Sequence, residues 1–468
     1  MLDDEKAEFS LPETPVKFKA EPSRATPTVA NWPKSFGSAE LAKLLEWSRT
    51  DNFDVAAAQA RITQAFGLAK SAASPLYPQL SGNESASRTT TSGTSRSSYP
   101  PFFQSTATSY SLGLSASYTL DLFGRNRDTA QAADDNAIAS RYDRDATIVA
   151  TLATVATTWF NLVASQDRVR VARDNIKVAA EVLKALQERV TVGTATALDT
   201  AQQESVLATQ RASVPPLEQT VEQNRNLLGV LVGRTPETTL VKGGSLNSLR
   251  VPRPRAGLPS QLLLRRPDVV SAETKLVAQH ASVRAARAAF FPTISLSASP
   301  SLVSQNLAYL LDPRAFSASL VQSLTAPIFD GFNLQGQLED NQGREIELLQ
   351  DYRKAIVTSF SDVENALIAE RLTAEHETLQ RQAVDAARRA YTATLARLRE
   401  GTIDVVTLAS TQTTLFQAED LLIQVRLTRF LAAVTLFQAL GGGFTIEDSP
   451  GLTIVADPSV PETIAGAN

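Results

Sequence analysis

The chain has 468 residues and a net charge of −4, with 45 basic and 49 acidic side chains interleaved, so it offers no clustered basic face for a nucleic acid. It has no cysteine and only two histidines, His280 and His376, which excludes disulfides, thiol catalysis and cysteine metal sites and nearly excludes imidazole ligation. Aromatics are scarce at 6%, and abundant Ala, Ser, Thr and Gln suit close-packed helices better than a thick globular core.

Residues 1–37 are rich in proline and charge and read as an extended arm; Met1 to Lys6 lack the apolar stretch of a signal peptide, which fits either a cytosolic chain or one whose export signal has been removed. Ser38 is placed as an N-cap for a short helix to about Thr50. A second helix is expected from Asp54 to about Ser74, ended by Pro75 and Pro78. The period then changes from helical to two. Tyr110, Leu112, Leu114, Ala116, Tyr118, Leu120 and Leu122 alternate with polar or small residues, the pattern of a strand with one apolar face. Its partner is placed near Leu80 to Thr91, although Ser81 to Ser109 also fits a Ser/Thr-rich linker. After Phe123 and Gly124 a proline-free stretch from Asn126 to about Val190 predicts a very long helix. Val169, Ala172, Ile176, Ala179, Leu183, Leu186 and Val190 form a three-four seam along it, as in a coiled coil. Its antiparallel return carries Leu198, Ala201, Ser205, Ala208 and Ala212 as the expected seam, and Pro215-Pro216 is expected to kink or break that helix.

The second half repeats this order. Asp54-Val55, Ala58, Tyr77-Pro78 and Leu80 recur about two hundred residues on as Asp268-Val269, Ala272, Phe291-Pro292 and Ile294, and Arg189 and Gly193-Thr194 recur as Arg397 and Gly401-Thr402. The organisation expected is therefore an arm (1–37), a first repeat (38–258), a second repeat (259–444) and a C-terminal tail (445–468). Each repeat holds a β-hairpin, at about 79–122 and 293–328, and a long helical hairpin, at about 126–232 and 333–440. The most apolar stretch noted, Phe430 to Leu440, is too short for a membrane-spanning helix, so none is expected. A barrel is still allowed. Four strands cannot close one, and open edges are not tolerated in lipid, so several copies must combine.

These features resemble the TolC-like outer-membrane efflux factors, most of all the OprM/CusC/NodT lipoprotein branch. The resemblance is carried by Arg266-Pro267-Asp268-Val269, Phe291-Pro292-Thr293-Ile294, Leu122-Phe123-Gly124, Ala326 to Gly331 and Ala439-Leu440-Gly441-Gly442-Gly443, in order and duplicated. It implies an α+β membrane protein: a homotrimer with a 12-stranded outer-membrane β-barrel, four strands per chain, continued by a periplasmic α-helical coiled-coil barrel. It implies an exit duct for small molecules such as drugs, docked by a periplasmic adapter and driven by an inner-membrane pump of the RND type. A type I secretion tunnel and a soluble coiled-coil scaffold are the alternatives. The branch normally begins with an acylated cysteine, absent here, so an unanchored form or a non-lipidated relative is expected.

The resemblance places the adapter-docking tips at Val192, Gly193, Thr194, Glu400, Gly401 and Thr402. The bland reading of each glycine is a helix stop. It places the periplasmic gate at Leu198, Asp199, Val406 and Ser410, with Leu198 and Val406 as an apolar ring; Asp199 also fits an ordinary first-turn acid. Ser410 replaces a gating aspartate found in many relatives, and Leu398 and Ile403 replace a Tyr and an Arg, which speaks against a salt-bridge latch. No paired catalytic carboxylates, nucleophile with a base or metal-ligand spacing stands out, so no enzyme, cofactor or metal is expected. Val241 to Ser245 only imitates a phosphate loop, without its spacing.

Overall fold

The computed structural model describes residues 12, 15, 18, 32–91, 105–238, 241–252, 257 and 259–444. Most of the expected N-terminal arm, the loop 92–104 and the expected tail after 444 lie outside the described residues. In chain order the elements are α1 (Trp32–Ser35), α2 (Ala39–Asp51), α3 (Phe53–Ala72), β1 (Gln79–Thr91), β2 (Ser105–Leu120), α4 (Arg125–Thr191) and α5 (Ala197–Leu231). They continue with α6 (Pro259–Leu263), α7 (Pro267–Ala288), β3 (Thr293–Ser304), β4 (Phe316–Thr325), α8 (Asn333–Arg399) and α9 (Val405–Ala439). The duplication is metrical: α4 and α8 each have 67 residues, α5 and α9 each 35. Two compact units result, and each draws on both repeats.

One unit (61–140 and 272–352) holds a four-stranded antiparallel sheet in the order β1-β2-β3-β4. The two hairpins are thus zipped together through β2 and β3. Gly113 faces Ser301 in that seam, and a Cβ on Gly113 would lie 2.8 Å from the Ser301 Cβ, so only glycine lets the strands approach. The β2–β3 register skips Pro300, which has no N–H to give to a ladder. Exposure along β2 is the reverse of that in a soluble protein, whereas residues 79–90 of β1 and all of β4 are exposed on both faces. Leu112, Leu114 and Leu120 are exposed while Ser111, Gly113 and Ser115 are half-buried, and Leu320 and Leu324 of β4 are 72% and 67% exposed. An apolar outer face with polar residues behind it is the signature of a lipid-facing wall. Below the strands the helical parts of this unit are tied by Arg284 to Asp128 (3.0 Å), His280 Nδ1 to Glu345 (2.7 Å) and a stacked Phe123–Phe291 pair at 4.7 Å. His280 thus has a structural partner, and His376 is exposed.

The other unit (1–60, 141–271 and 353–468) holds the main core. The scarce aromatics are concentrated there: Phe160 stacks on Phe430 at 4.8 Å and meets Phe36 edge-on at 5.0 Å, while Trp32 stacks on Phe437 at 5.4 Å. The glycine-rich segment 241–246 lies over this core and is pinned by carboxylates. Glu40 accepts the Lys242 and Gly243 N–H groups and the Trp159 indole; Asp167 accepts Leu246 N–H and the Ser245 hydroxyl. The segment that imitates a phosphate loop therefore wraps the protein's own anions. Near it, buried Glu377 on α8 takes Arg381, from its own helix, and Arg429 from α9.

Three expectations are corrected. The helix α5 continues through Pro215 and Pro216, so the break allowed for there does not occur. The carbonyls those prolines leave unpaired belong to Arg211 and Ala212, both exposed, where water can satisfy them. The seam on α5 is also shifted: Leu198, Ala201, Ser205, Ala208 and Ala212 are exposed, whereas Gln203, Leu207, Val221 and Leu228 are buried. Polar Gln203 at a seam position hid the true register. Finally, α4 does contain an 18-residue window apolar enough to cross a membrane, with mean hydropathy 1.5. Half of that window is buried within the protein. Trp159, Phe160, Leu162 and Val163 of the same helix pack in the aromatic core, so its apolarity serves packing.

Candidate functional site

The two helical hairpins end in turns with the same glycine and threonine hydrogen bonds. After α4, Gly193 takes φ 73°, its N–H donates to Val190 O (3.0 Å), and Thr194 N–H and hydroxyl both donate to Arg189 O (2.8 and 3.1 Å). After α8, Gly401 takes φ 74°, its N–H donates to Leu398 O (3.1 Å), and Thr402 N–H and hydroxyl both donate to Arg397 O (3.0 and 3.1 Å). This is the left-handed glycine termination that satisfies a helix's last carbonyls. A Cβ on either glycine would meet nothing within 4 Å, so the backbone here is open to an approaching partner.

The return helices begin with exchanged caps. Thr196 caps α5, and Asp199 accepts in return from the Thr196 N–H and hydroxyl (2.8 Å each), a reciprocal capping box. In the second hairpin Asp404 is the cap and Thr407 the responder. Hydrogen bonds from the Thr407 hydroxyl and N–H hold the Asp404 carboxyl below the usual carboxylate range. Asp199 is thus committed to its own helix start. Leu198 and Val406, the equivalent positions expected at a constriction, are 66% and 53% exposed, and Ser410 is exposed on the same helix as Val406. At the expected docking positions Val192 is 72% exposed, and Gly193, Thr194, Glu400, Gly401 and Thr402 are exposed too.

A small apolar cluster packs the tips together: Val182, Leu186, Leu398, Val405 and Leu408, with Ile403 packed against it. Leu398 and Ile403 are therefore packing residues. Two features escaped the sequence reading. Arg189 reaches from the end of α4 to Leu398 O (3.0 Å), joining the two tips, and the fully buried Gln203 donates to Ala179 O within its own hairpin (3.1 Å) and to Gln412 of the other (3.1 Å). A glutamine at each of two seam positions was the available signal for the second; an arginine before each tip was the signal for the first.

Two hairpins with matched tips, an apolar sheet facing outward and unpaired strand edges now stand together. Residues 44–234 and 258–442 match the outer membrane efflux protein family. The chain belongs to that family. It is 37% identical to the pyoverdine export outer membrane protein OpmQ of Pseudomonas aeruginosa, over 91% of this chain and 89% of that one. It is 30% identical to the probable efflux pump outer membrane protein TtgC of Pseudomonas putida, over 93% and 92% of the two chains. Its fold superposes on the outer-membrane channel OprN with a TM-score of 0.86 at 26% identity, over 93% of this chain and 99% of that one. The protein is an outer-membrane efflux channel, with the four-strands-per-chain, homotrimeric barrel and helical tunnel of its structural neighbours.

Proposed function

We propose that this channel is the exit duct of a tripartite efflux system, docked through Val192, Gly193, Thr194, Glu400, Gly401 and Thr402 by a periplasmic adapter and driven by an inner-membrane pump of the RND type. The observation that carries the reading is the pair of matched, exposed glycine turns, in which nothing lies within 4 Å of the missing side chains. Helix ends that present bare backbone on two equivalent turns suit a partner that packs helices against both. Above them, Leu198 and Val406 narrow the resting passage as an apolar ring, with Asp199 and Ser410 beside it; such a ring resists hydrated solutes through desolvation. The cargo is a small molecule. The 37% identity to a pyoverdine export protein exceeds the 30% to an antibiotic and a toluene efflux pump protein of Pseudomonas putida, which favours a secreted metabolite of that kind over toluene or an antibiotic.

Gly193→Trp and Gly401→Trp test docking. Both variants should reach the outer membrane as assembled channels yet fail to restore export in a strain lacking its own duct. Full export by both variants would place adapter contact elsewhere.

A further inference from the structure

Among the described residues the Arg189 contact has no counterpart within the protomer, although the repeat supplies every atom for one. Arg189 corresponds to Arg397, and Leu398, whose carbonyl Arg189 meets, corresponds to Val190. Leu398 O accepts two bonds, from Gly401 N–H (3.1 Å) and from Arg189 Nη1 (3.0 Å). Val190 O accepts the matching bond from Gly193 N–H (3.0 Å), and no guanidinium reaches it among the described residues. Arg397 is exposed and, among the described residues, its side chain makes neither a hydrogen bond nor an ion pair. One tip therefore has an acceptor with a spare lone pair, and the other has a donor with nothing to meet.

Closing the ring from copies resolves both. In a closed assembly of repeated units, the step from the first repeat to the second is followed by a step from the second repeat to the first repeat of the next chain. The operation that puts Arg189 on Leu398 O then puts Arg397 on Val190 O of the neighbouring copy. The charge agrees, because the last carbonyls of α4 form the negative end of a 67-residue helix and favour a cation there. We propose that Arg397 of each protomer donates to the Val190 carbonyl of its neighbour, so that Arg189 and Arg397 alternate around the tunnel mouth as staples within and between chains. The proposal rests on the homotrimeric reading. It commits the exposed guanidinium to a second copy of this chain and does not involve the adapter.

The absence of native cysteine makes a clean test possible, since any introduced pair supplies the only thiols. The pair Thr191→Cys with Arg397→Cys is treated with a short bis-maleimide in assembled, detergent-purified channel, beside the repeat-equivalent pair Arg189→Cys with Arg399→Cys. The first pair should give a ladder of linked dimers and trimers on denaturing gels. The second should stay monomeric because its link closes within one chain. Native sizing runs in parallel. An assembly of trimer size whose first pair gives only monomer bands overturns the staple while leaving the trimer intact; a particle of monomer size overturns both.

Discussion

The four long helices are held in contrasting ways around the aromatic core and at their tips. Around Phe160 and Phe430 they share stacked aromatics, a pinned glycine-rich strap and the Glu377 arginine cluster. At the tips they share five buried apolar side chains, two caps and one arginine staple. Burying an aromatic side chain is worth several times a cap or a partly exposed polar contact. The fold therefore holds these helices more strongly around the aromatic core than at their tips.

Substitutions rank along this contrast. Phe160→Ala removes a ring that is 0% exposed and should cost about 3–5 kcal/mol, measured by denaturant unfolding of the assembled channel. A loss no larger than that of a tip variant would erase the contrast. Glu40→Ala strands the Lys242 and Gly243 N–H groups and the Trp159 indole and should cost about 1–3 kcal/mol. Hydrogen exchange should then rise across 241–246 first. Thr196→Ala and Asp404→Ala each remove one cap, about 1 kcal/mol, and faster exchange should stay confined to the first turns of α5 and α9. Exchange spreading into the aromatic core would instead show that the two ends are coupled.

The smallest effect is a slope. Burial raises the Glu377 pKa, but hydrogen bonds from Arg429 and Arg381 outweigh it, so the folded carboxyl lies below its ordinary value. A depressed folded pKa gives stability that is present above the unfolded glutamate range and is lost as pH falls through the folded value. Glu377→Gln should flatten the acid side of the stability profile between the ordinary glutamate pKa and the lower folded one. An unchanged profile would remove this cluster from the anchor.

Much of this was legible in the residues. Alternation from Tyr110 to Leu122 marks β2, the absence of proline from Asn126 to Val190 marks α4, and Ser38 does cap α2 by accepting the Leu41 N–H. What the sequence hid is what depends on partners distant in the chain. Gln203 reads as a surface residue until Gln412 stands opposite, so spacing alone points the seam on α5 to Leu198 and Ala201. The two prolines suggested a break because local rules do not show that the freed carbonyls face water. The apolar window of α4 reads as unremarkable Ala and Thr until Phe36 and Phe430 close over Phe160. Arg189 looked like any basic residue in a last helical turn, and only the approach of α8 gave it a role.

Single-channel conductance in planar bilayers, comparing the native chain with Leu198→Ala plus Val406→Ala, is the most direct test of a lipid-embedded tunnel narrowed at its tips. Discrete steps from the native trimer are expected, and larger steps from the variant. Equal conductance in the two would contradict a constriction at these side chains, and an assembled trimer that passes no current in either form would contradict the conduit itself.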